Sequence, residues 1–158
     1  MAVWHAAALD LAALDVMGRD TLADYLGIRF TGYGDEWLAA RMPVDARTRQ
    51  PFGLLHGGAS VALAETVSSV AGTLTLDPAR RFVVGMEINA NHIRSVRDGH
   101  VEAVATAEAL GRSTQVWSIR IADEHGRLVC MSRATLAVLD RFTERAKLIG
   151  SGQNGRLA

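Results

Sequence analysis

One short stretch gathers residue types that could do chemistry together. The run Gln50-Pro-Phe-Gly-Leu-Leu-His56-Gly57-Gly58 leads into Ala-Ser-Val-Ala-Leu-Ala-Glu65, and Ser69 follows one helical turn later. Glu65 is the one full charge between Gly58 and Leu74. A carboxylate in such apolar company is costly unless it is paired or put to use, as a base or as a nucleophile. Gly57 and Gly58 stand where a helix would begin. The first N–H groups of a helix lack intrahelical partners, and the aligned peptide dipoles favour negative charge there. Such a terminus suits an anion or a developing oxyanion. On a helical wheel Glu65 shares a stripe with Gly58, Ala62, Ser69 and Gly72, small enough for a ligand or another backbone to approach. Taken singly, a Glu in an Ala-rich helix is more often a solvated or interface residue, and His-Gly-Gly more often a turn. Their occurrence together, with Gln50 ahead, points to a site.

The elements that must position these residues follow from periodicity. Residues 58–74 are mostly small or apolar with no wide polar face, which predicts a helix buried on nearly all sides. Asp77-Pro78 ends it. Upstream, residues 4–17 suit an amphipathic helix stopped at Gly18, and Asp20 or Thr21 could cap a second helix, Leu22–Leu26, closed by Gly27. Ile28–Tyr33 and Glu36–Val44 read as strands around a Gly34-Asp35 turn, and 45–52 as loop. Downstream the pattern is all strand: Phe82–Ile93, His100–Leu110, Thr114–Ala122 and Arg127–Leu139, separated by Arg97-Asp98-Gly99, Gly111 and Glu124-His125-Gly126. The expected fold class is α+β, a curved antiparallel sheet wrapped around one long helix. A partner chain is the expected cover for the Glu65 stripe, with edge strands pairing across the contact. The polar residues 141–158 are expected to form a mobile tail after a single domain over 1–140.

Composition narrows the function classes. The chain has 158 residues, 49% hydrophobic and 22% charged, with zero formal net charge. Nothing in that balance favours nucleic acid or an anionic membrane surface. One cysteine, Cys130, excludes an intrachain disulfide and a Cys-rich metal site, and the five histidines are dispersed without ligand spacing. No metal is expected. The N-terminal stretch lacks a basic region and is interrupted by Asp10 and Asp15, so no signal peptide is expected and the expected location is cytoplasmic.

The motif Gln50-x5-His56-Gly57-Gly58-x6-Glu65-x3-Ser69, with the order of elements, resembles the hotdog-fold acyl-CoA thioesterases. The stretches MPVDARTRQPFGLLHGGASVALAE, VVGMEINANHIRS and VWSIRIADEHGRLVC are similar to the branch that acts on aromatic acyl thioesters, over about residues 9–140. The resemblance implies hydrolysis of an acyl-CoA, with benzoyl- or 1,4-dihydroxy-2-naphthoyl-type acyl groups. No cofactor is implied, since coenzyme A is part of the substrate. It implies that the Gly57 N–H holds the thioester oxygen and that Glu65 acts as nucleophile or general base. Gln50 would bond near the thioester, Ser69 would hold the carboxylate or water, and His56 would orient the loop. Leu54 and Val70 are expected to line the acyl pocket. Gly85, His92 and Arg94, with Arg112, Ser113 and Thr114, are expected to bind CoA. Homodimers, assembled as a tetramer, are implied as well.

Alternatives on the same fold remain in view. One is a proofreading thioesterase acting on an aryl carrier protein. A second is a hydroxyacyl dehydratase, against which stand the position of His56 and the absence of a D-x4-H pair. A third is a non-catalytic acyl-CoA-binding module, in which Glu65 would have no task. Spacing adds one constraint. Gly57 and Glu65 are eight positions apart, about 12 Å along a helix axis. Both must lie within roughly 3–3.5 Å of one carbonyl group. A site made of both therefore requires two chains.

Overall fold

The computed structural model describes residues 2–141. The first helix, α1 (Leu11–Met17), begins later than the periodicity suggests, because the Asp10 carboxylate accepts a hydrogen bond from the Ala13 N–H and caps it there. Residues 3–5 run as a strap instead. Val3 N–H bonds to the Asp35 carbonyl and His5 N–H to the Leu74 carbonyl. The Trp4 indole donates to the Gly34 carbonyl and stacks on Trp117, ring centroids 6.4 Å apart. Helix α2 (Leu22–Tyr25) is a single turn. Of the two expected caps, Thr21 holds the N-cap position but makes no side-chain capping bond, its hydroxyl donating backward to the Gly18 carbonyl, while Asp20 before it takes φ +59°.

Strands β1 (Arg29–Tyr33) and β2 (Trp37–Pro43) form a hairpin, and helix α3 (Gly57–Leu74) follows. Strands β3 (Arg81–His92), β4 (His100–Leu110), β5 (Thr114–Asp123) and β6 (Leu128–Asp140) complete one antiparallel sheet of order β1-β2-β4-β5-β6-β3. The expected α+β architecture is the one observed. Alternate residues of β5 (Gln115, Trp117, Ile119, Ile121) turn inward, as the period-2 pattern requires. They meet Leu63, Ala64, Val67 and Ala71 of α3 in a core where each is essentially inaccessible to water. Burying each large apolar side chain there contributes about 1.5–3 kcal/mol.

A buried polar chain ties the helix end to the sheet. Trp117 Nε1 donates to Gln115 Oε1 at 3.1 Å, and Gln115 Nε2 donates to Thr75 Oγ1 at 2.9 Å. Helix α3 is not covered all round. Gly58 and Glu65 are exposed, so the stripe expected to await a partner chain is open to solvent at these two positions in the single chain. Gly72, placed by the wheel on the same stripe, is buried instead: a Cβ there would lie 2.6 Å from Leu136 Cδ1. An α-helix drifts about 20° per seven residues, so the stripe rotates under the sheet toward its C-terminal end. The expected tail falls largely on residues 142–158, which lie outside the described residues.

Candidate active site

The loop before α3 is built by its own backbone. Gln50 N–H donates to the Leu54 carbonyl and Gly53 N–H to the Gln50 carbonyl, with Gly53 at φ +75°. The Gln50 side-chain oxygen accepts from the Phe52 N–H at 2.5 Å, which leaves its NH2 group to donate elsewhere. His56 caps α3: its Nδ1 accepts from the Gly58 N–H at 2.8 Å, and its carbonyl takes Ala59 N–H and Ser60 N–H. That bond places the neutral ring's proton on Nε2. With Gly58 N–H consumed by the cap, Gly57 N–H is the one left over; it has no acceptor among the described residues. It stands in a cavity of about 310 Å³ whose walls include Gln50, Leu54, His92 and Arg94. The His92 ring lies against Gly57, where a Cβ would come within 2.8 Å of Nε2.

Glu65 lies on the exposed edge of α3 with its carboxylate over β3. A Cβ on Gly85 would sit 2.5 Å from Glu65 Oε1, so only glycine leaves the carboxylate its place. The β3–β6 register shifts between Gly85 and Glu87, a bulge at Met86 that bends the strand beside this carboxylate. Ser69 is one turn along, but its hydroxyl makes no hydrogen bond to Glu65; it lines a second cavity, of about 340 Å³, with Val70. The back-bonded helix serine is its neighbour Ser68, whose hydroxyl donates to the Ala64 carbonyl at 2.9 Å.

The thirteen expected site residues thus fall into separate places on one chain. Gln50, Leu54, Gly57, His92 and Arg94 share one cavity, with His56 beside it, whereas Ser69 and Val70 share another. Leu54 and Val70 do not meet in a single acyl pocket within one chain, because they flank opposite ends of α3. Gly85 packs against Glu65, apart from His92 and Arg94, which share the first cavity with Gly57. Arg112 and Ser113 line a third cavity, of about 550 Å³, together with Arg80, Arg81, Asp77 and Asp140. Thr114 is outside its lining; the Thr114 carbonyl accepts from Gly111 N–H and closes the β4–β5 turn. Arg80 and Arg81 are adjacent in the sequence, but nothing in their local pattern joins them to Arg112. Ser60 in the first cavity carried no sequence signal beyond membership of the helix.

A long helix wrapped by a curved antiparallel sheet, with an unengaged N–H at its start and a free carboxylate further along, defines the class as hotdog thioesterases. Comparison with known proteins agrees. The model of the thioesterase superfamily, 4HBT, matches residues 52–130. The chain is 55% identical over 131 residues to 1,4-dihydroxy-2-naphthoyl-CoA hydrolase of Escherichia coli, covering 83% of this chain and 96% of that one. It is 52% identical over 131 residues to the proofreading thioesterase EntH of Cronobacter turicensis, covering 83% and 95%. The crystal structure of a mutant of the thioesterase PA1618 from Pseudomonas aeruginosa superposes with a TM-score of 0.86 at 48% identity, covering 88% of this chain and 99% of that one. The chain belongs to the thioesterase superfamily, and it is a thioester hydrolase. No helix among the described residues is long and apolar enough to cross a membrane.

Proposed function

We propose that the protein hydrolyses aromatic acyl-CoA thioesters, of the benzoyl or 1,4-dihydroxy-2-naphthoyl class, at sites shared between two copies of the chain. One observation carries this reading. The chain holds an unengaged Gly57 N–H in one cavity and a Glu65 carboxylate over Gly85, eight residues further along the same helix. That is about 12 Å of helix, beyond the reach of one side chain. Two antiparallel α3 helices would bring Gly57 and Gln50 of one chain against Glu65 and Ser69 of the other. Strand β3 supports such pairing: it is a twelve-residue edge strand whose Val84 and Met86 are exposed.

In the proposed reaction the thioester carbonyl oxygen accepts from the Gly57 N–H, with the α3 dipole behind it, as negative charge develops. Gln50 donates from its remaining NH2 group. Glu65 either attacks the carbonyl carbon to form a mixed anhydride, which water then opens, or removes a proton from the attacking water. Either course expels the CoA thiolate and leaves the aromatic acid. Arg94 near the first cavity and Arg112 with Arg80 and Arg81 in the third supply cations for the CoA phosphates. The likeness to 1,4-dihydroxy-2-naphthoyl-CoA hydrolase supports the acyl class.

A panel of CoA thioesters assayed for thiol release tests the reading. Benzoyl- and hydroxynaphthoyl-type esters should exceed both acetyl- and palmitoyl-CoA in kcat/KM; a preference for either of the latter overturns it. The likeness to EntH favours one second reading, an aryl thioester carried on a protein. Higher kcat/KM on an aroylated carrier protein than on the matching CoA ester would select it.

A further inference from the structure

The cavity that begins at Ser69 is apolar except at three points. Leu14 and Met17 of α1 form one wall, and Val70 and Leu74 of α3 the other. The polar groups are His5, Ser69 and Thr73. Helical serines and threonines usually spend the hydroxyl on a carbonyl three or four residues back. Ser68 and Thr75 do so, onto Ala64 and Gly72. Ser69 and Thr73 do not, and the His5 imidazole has no hydrogen-bond partner among the described residues. His5 is nonetheless fixed in place: its N–H donates to the Leu74 carbonyl at 2.9 Å, and the adjoining Trp4 is stacked on Trp117. An apolar cleft of about 340 Å³ with a few convergent polar groups is the usual form of a small-molecule subsite.

We propose that His5 and Thr73 select thioesters whose acyl ring carries a hydroxyl or a similar polar substituent. The proposal rests on the thioesterase reading of Glu65. Ser69 lies one turn beyond Glu65 and Thr73 two turns beyond, about 6 and 12 Å along the axis. A ring bonded directly to the reacting carbonyl would therefore lie beside Ser69 and Val70. A substituent on its far side would reach Thr73, with His5 across the cleft. Thr73 can donate or accept, and the imidazole can do either through its two nitrogens, so both suit a ring hydroxyl. A plain hydrocarbon ring leaves these groups unbonded once water is displaced, and that penalty discriminates against it.

The test uses hydrolysis-inert ketone analogues of hydroxynaphthoyl-CoA and naphthoyl-CoA, with a methylene in place of sulfur, and the two matching thioesters. Dissociation constants and kcat/KM are measured for the wild type, Thr73→Val and His5→Ala. The wild type should favour the hydroxylated ligand by about tenfold. Each variant should cut that ratio at least about threefold. Thr73→Val keeps the shape of the side chain, and His5 is exposed, so the fold tolerates both. A ratio that is the same in all three proteins overturns the proposal, as does an equal weakening of both ligands. Discrimination in binding without turnover of either thioester would overturn the hydrolase reading and leave this one standing.

Discussion

The Glu65 carboxylate owes its position to a missing side chain on a different strand. Gly85 leaves room for Oε1, and the Met86 bulge bends β3 at that point. Two predictions belong to this pair. Glu65→Gln should lower kcat by at least about 10³ while acyl-CoA still binds, because the carboxylate acts on the reacting centre. Steady-state kinetics together with analogue binding check it, and near wild-type turnover would refute the assignment. Gly85→Ala should lower kcat by about 10² with Glu65 intact, since the new Cβ would lie 2.5 Å from Oε1 and push the carboxylate aside by about 1 Å. Turnover equal to wild type in that variant would show that the observed carboxylate position is not the working one. Glu65 stood out in the sequence as the lone charge of an apolar helix. The pairing of Gly85 with it did not, because a glycine in a strand carries no sign of which side chain crosses it.

Among the elements, the strap 3–5 and the β5–β6 hairpin show opposite degrees of legibility. Hydrophobic spacing made residues 4–17 look like one helix, yet Trp4 is used as an anchor on Trp117, and Asp10 caps the shorter α1. A tertiary contact outweighed a local period there. The hairpin was plain, because Glu124-His125-Gly126 separates two alternating runs and Gly126 takes φ +75°. Its buried Asp123 accepts from the His125 and Arg127 N–H groups and from Arg127 Nε at 2.8 Å. Burial pushes its carboxyl up, but these bonds outweigh burial and hold it below the usual carboxylate range. A lowered native pKa adds stability that is present above the unfolded value, near 4, and lost as pH falls through the native value. Asp123→Asn should therefore lower the urea midpoint at pH 7, and the gap from wild type should shrink below about pH 4. A gap that is constant between about pH 7 and 3 would show that the carboxylate's charge contributes nothing.

For the whole molecule the question is how many chains build one site. Gln50→Ala and Glu65→Ala should each be inactive alone, since each damages every site. In a mixed dimer one site collects both lesions and the other is intact. Random reassortment makes about half the dimers mixed, so activity should return to roughly a quarter of wild type per subunit. Subunit exchange, verified with distinguishable tags, followed by assay checks this. No recovery would mean that each site lies within one chain.

The sequence by itself determined the α+β class, the strand count and each strand boundary to within one residue, since these follow from local period and turn chemistry. It also marked Gln50, His56, Gly57, Glu65 and Ser69, because their spacing is set within one loop and one helix. The tertiary structure alone decided which glycine makes room for Glu65, that Ser68 rather than Ser69 spends its hydroxyl on the helix, and that Gly72 is covered. It also decided that Arg80 and Arg81 stand with Arg112, and that His5 and Thr73 face one cavity. Each of these depends on side chains far apart in the chain meeting across the sheet, and no window of residues encodes such a meeting.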